Sequence, residues 1–215
     1  EAFDAVFVGV GLWGAKIPSI KGTNLKGVYA AADFLKQART KKAFKPGKKV
    51  VVVGGGDVAV DCAVTAKLLG AEDVRIVYRR TLEEAPGNMT EFQYALSLGI
   101  GITTNMAPSS VVGTNKVEAV KFKGRAKVTE KSELKLEANT VVFAIGQGAE
   151  DFSNLAPVKL TEKGMVKATA KGKTSTKKYF AGGDIVNGGK TVVEAVASGK
   201  EAAASIIEFL QKGVK

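Results

Sequence analysis

The sequence predicts an α/β fold in which a parallel β-sheet alternates with helices. Three consecutive segments indicate this: four valines at residues 50–53, a helical pattern of small and apolar residues at 57–69, and a second apolar run at 74–78. β-Branched runs are typical of strands buried on both faces of a parallel sheet. Strand, helix and strand in this order predict the βαβ unit of a Rossmann-like domain.

The turn between the first strand and the helix carries the pattern G-x-G-x-x-A, formed by Gly54, Gly56 and Ala59. In this pattern the first glycine permits a tight turn, the second lets the backbone approach a pyrophosphate, and the small third residue lets the helix pack on the strand. We expect Gly54, Gly56, Asp57 and Val58 to line the turn, with the positive end of the helix dipole facing the phosphates. The pattern therefore predicts a dinucleotide-binding site.

Two arginines, Arg79 and Arg80, follow the second strand at the place where an NAD-binding domain usually carries an acidic residue for the ribose 2′-hydroxyl. Guanidinium groups match a 2′-phosphate with planar, charge-assisted donors. This favours NADPH as the cofactor, although a solvated basic strand end is the simpler alternative. Gly146, at the end of another apolar strand, is expected to lie at the nicotinamide end of the site.

The other segments extend the alternation of strands and helices. Gly70 is expected to end the first nucleotide-site helix, and Gly164 to lie at the turn of a hairpin over residues 158–167. Strands are predicted at residues 2–10, 100–104, 140–146 and 179–181, a small antiparallel sheet at 117–123, 127–129 and 134–137, and helices at 28–39, 90–98 and 191–211.

Composition excludes several classes of protein. The chain has 215 residues, of which 45% are hydrophobic and 25% charged, as in ordinary globular proteins. No apolar run approaches the roughly 20 residues of a membrane helix and no signal pattern is present, so we expect a cytoplasmic protein with no membrane partner. The net charge of +11 raises the alternative of a nucleic-acid-binding domain. The basic residues are dispersed, however, and no nucleic-acid partner is expected.

Histidine is absent and Cys62 is the single cysteine. One cysteine excludes an internal disulfide and an iron–sulfur cluster held by this chain alone, and no metal site is predicted. Cys62 falls inside the nucleotide-site helix, where a small buried side chain is expected. Hydride transfer between a nicotinamide and a flavin depends on stacking and orientation, so the lack of histidine is compatible with redox function.

Five segments resemble the two-dinucleotide-binding flavoprotein reductases, and within them the glutamate synthase small-subunit family, which includes the NADPH half of dihydropyrimidine dehydrogenase. These segments are FDAVFVGVGLWGAKIPSIKGTNLKGVYAAADFL, VVVGGGDVAVDC, VYRR, TVVFAIGQ and YFAGGDIVNGGKTVVEAVASGKEAA. One departure is Ala85-Pro86-Gly87, where the family often has Met-Pro-Ala. The resemblance covers nearly the whole chain.

The resemblance implies an NADPH-binding domain at residues 25–145, inserted into an FAD-type domain of which residues 1–24 and 146–215 are parts. It implies that Asp184, after Gly183, holds the FAD ribityl chain, and that the helix starting near Thr191 faces the flavin, where its dipole favours an anionic reduced ring. Family members carry an N-terminal FAD motif and an iron–sulfur region before this segment. The chain is therefore expected to be a fragment, inactive alone, with FAD bound in the full-length protein.

The function expected from these features is the NADPH-binding portion of a flavin-dependent oxidoreductase. It would pass hydride from NADPH to FAD, and electrons to a partner subunit or domain. The alternative is a non-catalytic NADP(H)-sensing module, which has no need of the FAGGD and TVVEAV segments. The terminal electron acceptor stays open at this point, because glutamate synthase, a pyrimidine-reducing subunit and ferredoxin-linked partners all use a similar NADPH half.

Overall fold

The computed structural model describes residues 3–125, 131–150 and 156–213. The chain forms two compact units: unit 1 is discontinuous and comprises Glu1–Gly14 and Gln147–Lys215, and unit 2 is the continuous segment Ala15–Gly146. In chain order the first elements are β1 (Val6–Val8), β2 (Gly14–Ala15), β3 (Val28–Ala30), α1 (Ala31–Thr40), β4 (Lys49–Val53), α2 (Asp57–Leu68), β5 (Asp73–Val77), α3 (Met89–Ser97) and β6 (Gly101–Thr103). The later elements are β7 (Met106–Val112), β8 (Ala119–Gly124), β9 (Glu133–Glu137), β10 (Thr140–Phe143), β11 (Gln147–Gly148), β12 (Tyr179–Ala181), α4 (Asp184–Asn187) and α5 (Val192–Gly213).

Unit 2 is built on a five-stranded parallel sheet in the order β3-β10-β4-β5-β6. The chain passes from β4 through α2 to β5 on one side, while β10 lies on the other side of β4. The strand order therefore reverses at β4. In sheets of this type, the crevice at such a reversal is where ligands bind, outside the carboxyl ends of the strands.

Alternate residues of the central strands fill two separate cores, one on each face of the sheet. Val50 and Val52 of β4 pack with the buried residues of α2 and with Phe34 and Phe92. Val51 and Val53 face the opposite way and pack against the antiparallel sheet β7-β8-β9. Because both faces are covered, β4 can be apolar at four successive positions, as the sequence predicted.

Helix α2 ends as its sequence predicts. The N–H of Gly70 donates to the Lys67 carbonyl at 3.0 Å and that of Ala71 to the Ala66 carbonyl at 3.1 Å, while Gly70 adopts a φ of 93°. This is the Schellman arrangement, which satisfies carbonyl groups at a helix end and needs a left-handed residue. Ala59, Ala63 and Ala66 are fully buried along the helix, so that it packs closely on the sheet.

Unit 1 contains the parallel pair β1 and β12, with α4 and α5 following β12 in the chain. Its core includes Val8, Val166 and Ile185. Phe209 of α5 packs edge to face on Phe180 of β12, with ring centroids 5.8 Å apart. The hairpin predicted around Gly164 is confirmed by the antiparallel bridge between Leu160 and Val166.

In unit 2 one sequence prediction is wrong, and one strand was not predicted. The helix predicted over residues 28–39 begins only at Ala31, because Val28–Ala30 form β3 and pair in parallel with β10. No Gly, Pro, Asn, Asp or Ser separates this strand from α1, so the sequence carries no boundary signal there. Strand β7 was not predicted, since Pro108 and the two serines after it are typical of a turn, and the strand accommodates them by a register shift between Pro108 and Ser110.

The strand predicted at 2–10 is observed only at Val6–Val8, the other strand predictions are within three residues of the observed bounds, and the strand predicted at 127–129 lies outside the described residues. The division between the units falls after Gly14, whereas the sequence-based domain boundary falls after residue 24. Ile20 and Leu25 pack against the core between the two sheets of unit 2, which accounts for the earlier position. In the described ranges, no helix has both the length and the apolar character needed to cross a membrane.

Candidate functional site

The carboxyl ends of β4, β5 and β10 meet at one edge of the parallel sheet. Gly54 follows β4, the pair Arg79 and Arg80 comes shortly after β5, and Gly146 follows β10. These strands are neighbours in the sheet, so their ends lie side by side. The structure therefore places the sequence-predicted residues of unit 2 at the edge where the strand order reverses.

Packing within the fold requires glycine at position 54, the first glycine of the turn. A β-carbon placed on Gly54 would lie 2.4 Å from the carbonyl oxygen of Ala144, the residue after β10. The N–H of Ala144 donates to the Val53 carbonyl at 2.8 Å, so the two strands are still in close register here. Any side chain at position 54 would push them apart.

The second motif glycine, Gly56, is free of such crowding. Its backbone is extended, with φ −101° and ψ 173°, and the nearest protein atom to a β-carbon there would be Pro86 Cγ at 3.8 Å. Packing within the chain therefore does not require glycine at this position. The requirement expected from the motif, close approach of a pyrophosphate to the backbone, is compatible with this open space.

Four successive backbone N–H groups at the turn have no partner among the residues that the structure describes. In the described part of the chain, the amides of Gly55, Gly56, Asp57 and Val58 donate to no protein acceptor. The first intrahelical bond is donated by Ala59, to the Gly56 carbonyl at 2.8 Å. These amides and the positive end of the α2 dipole form a site suited to an anion such as a pyrophosphate.

The carboxylate of Asp57 is directed to the loop after β5. Asp57 Oδ1 accepts a hydrogen bond from the Asn88 backbone N–H at 2.6 Å, and the N–H of Gly87 donates to the Gly55 carbonyl at 3.1 Å. The sequence placed Asp57 in the pyrophosphate turn but gave no indication of this contact. No pattern in the sequence links residue 57 to residue 88.

Arg79 and Arg80 are both exposed. Within the described residues, neither guanidinium has an ion-pair or hydrogen-bond partner. Tyr78, just before them, is fixed on both sides of its backbone: its N–H donates to the Thr103 carbonyl at 2.8 Å and its carbonyl accepts from Met106 at 3.1 Å. The arginines thus extend from a rigid strand end with their full charge available.

Gly146 has a φ of 112°, a backbone conformation that favours glycine. A β-carbon placed there would lie 3.9 Å from Lys16 Nζ. Lys16 adds a cation near the end of β10 that the sequence analysis did not identify, because a single lysine in a loop gives no signal of its own.

In unit 1, Gly183, Asp184 and Thr191 are linked by a short hydrogen-bonded segment. Gly183, at φ 74° and ψ −155°, donates its N–H to Ser198 Oγ at 3.0 Å, and Asp184 Oδ1 accepts from the Lys190 N–H at 3.2 Å. Glycine alone adopts this conformation without strain. The arrangement brings the Gly-Gly-Asp segment next to the N-terminal half of α5.

The N-terminus of α5 carries a capping box. Glu194 Oε2 accepts from the Thr191 N–H at 3.1 Å and from its hydroxyl at 2.8 Å, and Thr191 Oγ1 accepts from the Glu194 N–H at 3.3 Å. The Thr191 bonds, together with Lys190, lower the pKa of Glu194. The pattern T-x-x-E is the sequence signal of this box, and it was not used in the sequence analysis.

Cys62 is fully buried in α2, as the sequence predicted. Burial, with a smaller contribution from the Asp61 charge, raises the pKa of its thiol to about 12. The thiolate is the reactive form of cysteine, so this residue is chemically inert at neutral pH.

Comparison with known proteins identifies the family. The profile described as pyridine nucleotide-disulphide oxidoreductase matches residues 1–199. The chain belongs to this family. This member of the pyridine nucleotide-disulphide oxidoreductases has one cysteine in its 215 residues, Cys62, and so forms no internal disulfide.

Relatives in this oxidoreductase family confirm the resemblance to glutamate synthase small subunits. The glutamate synthase [NADPH] small chain of Halomonas elongata is 33% identical over 238 residues, covering 98% of this chain and 50% of that protein. The NAD-dependent dihydropyrimidine dehydrogenase subunit PreT of Escherichia coli O157:H7 is 39% identical over 211 residues, covering 96% of this chain and 48% of that protein. The chain spans about half the length of these curated relatives.

Solved structures confirm the α/β, Rossmann-like fold of this family member. Thioredoxin reductase of T. acidophilum superposes with a TM-score of 0.78 at 24% identity, over 97% of this chain and 66% of that one. FprA of Mycobacterium tuberculosis, in complex with NADPH, superposes with a TM-score of 0.76 at 17% identity, over 98% of this chain and 64% of that one. At these identities the likeness establishes the fold.

Proposed function

We propose that this chain is the NADPH-binding portion of a flavin-dependent oxidoreductase, which passes hydride from NADPH to FAD and electrons onward to a partner subunit. The observation that carries the proposal is the row of four amides from Gly55 to Val58, beside a strand that leads to Arg79 and Arg80; neither the amides nor the guanidinium groups have a partner in the described ranges. The amides suit a pyrophosphate, and the arginines suit a further phosphate on the adenosine ribose.

The arginine pair supports NADPH over NADH on electrostatic grounds. A 2′-phosphate carries negative charge that a bidentate guanidinium can match, whereas NADH offers only a hydroxyl there. The relatives differ on this point by name, since the glutamate synthase chain is designated NADPH-dependent and the PreT subunit NAD-dependent. Cofactor preference in this chain therefore has to be measured on its own residues.

FAD is proposed for unit 1 in the full-length protein. Gly183, Asp184 and Thr191 form the candidate contact: Asp184 Oδ1 accepts from the Lys190 N–H, and Oδ2, which has no hydrogen-bond partner among the described residues, could accept from a ribityl hydroxyl. The flavin, when bound, would supply the two-electron chemistry that accepts hydride from NADPH. We assign unit 1 (Glu1–Gly14 and Gln147–Lys215) to the FAD-type domain and unit 2 (Ala15–Gly146) to the NADPH domain, in place of the boundaries at 24/25 and 145/146 expected from the sequence.

A partner subunit is proposed as the electron acceptor. Both relatives described above are named as a chain or subunit of a larger enzyme, and so is the beta subunit of NADP(+)-dependent formate dehydrogenase of Moorella thermoacetica, 35% identical over 229 residues. A single buried cysteine leaves this chain without an internal disulfide to receive electrons. The acceptor is therefore expected on another polypeptide or domain.

Calorimetric titration of the 215-residue chain with NADPH and with NADH tests the proposal. The double variant Arg79→Ala/Arg80→Ala should weaken NADPH binding by about 10- to 100-fold, because charge-assisted hydrogen bonds contribute roughly 1.5–3 kcal/mol. NADH binding should change much less. A charge-matched control is Lys121→Ala/Lys123→Ala, which removes two exposed cations from β8.

Absence of nucleotide binding by the unaltered chain would refute the proposed NADPH site. Equal losses for NADPH and NADH in the arginine variant would refute the assignment of the pair to the 2′-phosphate. A flavin titration of the full-length protein distinguishes the two functions considered: bound FAD reduced by NADPH supports the oxidoreductase, whereas NADPH binding without any flavin would indicate a sensing module.

A further inference from the structure

The loop of residues 81–88 connects the arginine pair to α3, and it is closed against the glycine turn. The N–H of Gly87 donates to the Gly55 carbonyl at 3.1 Å, and a β-carbon on Gly87 would lie 3.1 Å from the backbone of both Gly56 and Asp57. Glycine at position 87 thus allows two backbone segments to meet. The loop forms one wall beside the unpartnered amides of the turn.

The start of the loop, like its end, is fixed by hydrogen bonds. Glu84 Oε2 accepts from the Thr81 N–H at 3.1 Å and from its hydroxyl at 3.3 Å, and the Tyr78 hydroxyl donates to the Glu84 carbonyl at 3.2 Å. Tyr78 and Thr81 directly flank the arginine pair. The backbone of Arg79 and Arg80 is therefore bracketed by two residues that are both bonded to Glu84.

Asp57 accepts the hydrogen bond that closes the loop. The backbone N–H of Asn88 donates to Asp57 Oδ1 at 2.6 Å, which is the shortest hydrogen bond between the loop and the turn among the described residues. A carboxylate at a phosphate-binding helix end keeps its charge and does not itself attract an anion. By accepting this bond it holds together the two segments that carry the amides and the arginines.

We propose that Asp57 is a positioning residue for cofactor specificity: by bonding to Asn88 it holds the 81–88 loop closed and so keeps Arg79 and Arg80 placed for the 2′-phosphate. This inference rests on the proposed NADPH site. It differs from a direct contact between Asp57 and the cofactor, because such a contact would act on parts that NADPH and NADH share.

The test compares Asp57→Ala with Asp57→Asn in the full chain, using NADPH, NADH and adenosine 2′,5′-bisphosphate as titrants. Asp57→Ala removes the acceptor and should reduce the preference for NADPH over NADH about tenfold, which corresponds to about 1.4 kcal/mol. The affinity for adenosine 2′,5′-bisphosphate should fall by the same factor. Asp57→Asn keeps an acceptor oxygen and should stay within about threefold of the original preference.

Asp61→Ala is the matched control, since Asp61 is an exposed carboxylate one turn further along α2. It should leave the preference unchanged.

The donor side of the same bond provides a second test should Asp57→Ala fail to fold. Asn88 has a φ of −67°, which proline adopts without strain, so Asn88→Pro deletes the N–H that bonds Asp57. Asn88 also caps α3 by accepting from the Thr90 N–H at 2.9 Å. Asn88→Ala loses this cap but keeps its own N–H, so only Asn88→Pro should lower the NADPH preference.

Three outcomes separate the possibilities. If the unaltered chain binds no nucleotide, the proposed function fails. If it prefers NADPH and Asp57→Ala or Asn88→Pro weakens both nucleotides equally, the positioning role is refuted while the NADPH site stands. If Asp57→Asn loses the preference as fully as Asp57→Ala, the charge of Asp57 matters rather than its hydrogen bond, which also overturns the inference.

Discussion

Replacing each of the two motif glycines by alanine should have a different effect: the Gly54 variant should lose stability, and the Gly56 variant should lose affinity for NADPH. At Gly54 a β-carbon would lie 2.4 Å from the Ala144 carbonyl oxygen, a backbone atom that cannot move without separating β4 from β10. Overpacking of this kind typically costs about 1–3 kcal/mol, so Gly54→Ala should lower the free energy of unfolding by at least that amount. The loss should occur with or without nucleotide.

Gly56→Ala should leave stability nearly unchanged but impair binding. The nearest protein atom would be 3.8 Å from the new methyl group, and the extended backbone at φ −101° is open to alanine. The stability change should stay within about 1 kcal/mol, since the small loss at a helix N-cap is offset by a less flexible unfolded chain. The methyl group would, however, occupy the space beside the unpartnered amides, and the Kd for NADPH should rise at least about tenfold.

Urea unfolding followed by circular dichroism, together with calorimetric titration of NADPH, measures both variants. Gly54→Ala unfolding at the same urea concentration as the unaltered chain would refute the crowding at Ala144. Gly56→Ala binding NADPH with unchanged affinity would show that no ligand approaches the backbone there. The stability result for Gly54 stands whether or not the cofactor assignment is correct.

Two further predictions concern titration and capping. The pKa of Cys62 is raised to about 12 in the folded chain from an ordinary 9.0, so as the pH rises its thiol ionises first in the unfolded chain. The contribution of this thiol to the free energy of unfolding should therefore be nearly constant below pH 9 and fall by roughly 2–3 kcal/mol by pH 11. Denaturant unfolding should show this slope disappear in Cys62→Ala; if the slope persists in that variant, another group is responsible. Thr191→Ala should destabilise unit 1 by about 1 kcal/mol through loss of the α5 cap, measured by hydrogen exchange of the first turn of the helix. Because the pKa of Glu194 is lowered in the folded chain, its contribution to the free energy of unfolding is present at neutral pH and lost on acidification. Thr191→Ala should reduce this loss of stability in acid. The same acid response in both proteins would contradict the capping role.

The central elements of the candidate nucleotide site were predictable because each of them has a local signal in the sequence. The four valines of β4, the glycines of the turn and Gly70 at the end of α2 each encode their own geometry within a few residues. The structure places all of them as expected in unit 2. The arginine pair was equally visible, since a strand end fixes its position in the fold.

Features that depend on distant residues were not predictable in the same way. Val28–Ala30 is a strand because β10 lies beside it, and its own sequence continues into α1 without interruption. The hydrogen bond that the Asn88 N–H donates to Asp57 arises from folding of the 81–88 loop over the turn, and neither residue alone predicts it. Strand β7 tolerates Pro108 through a register shift that only its pairing with β8 reveals.

The discontinuity of unit 1 determines the order in which the protein can fold. In the described sheets β1 pairs only with β12, through residues such as Val6 and Tyr179, so this pair cannot form before residues 179–181 have been made. Unit 2, being continuous, can complete its parallel sheet on the ribosome while β1 is still unpaired. The two ends of unit 2 lie close together, since a β-carbon on Gly146 would be 3.8 Å from Lys16 Cδ. Folding of unit 2 should therefore shorten the effective loop between β1 and β12 and so reduce the entropy cost of closing it.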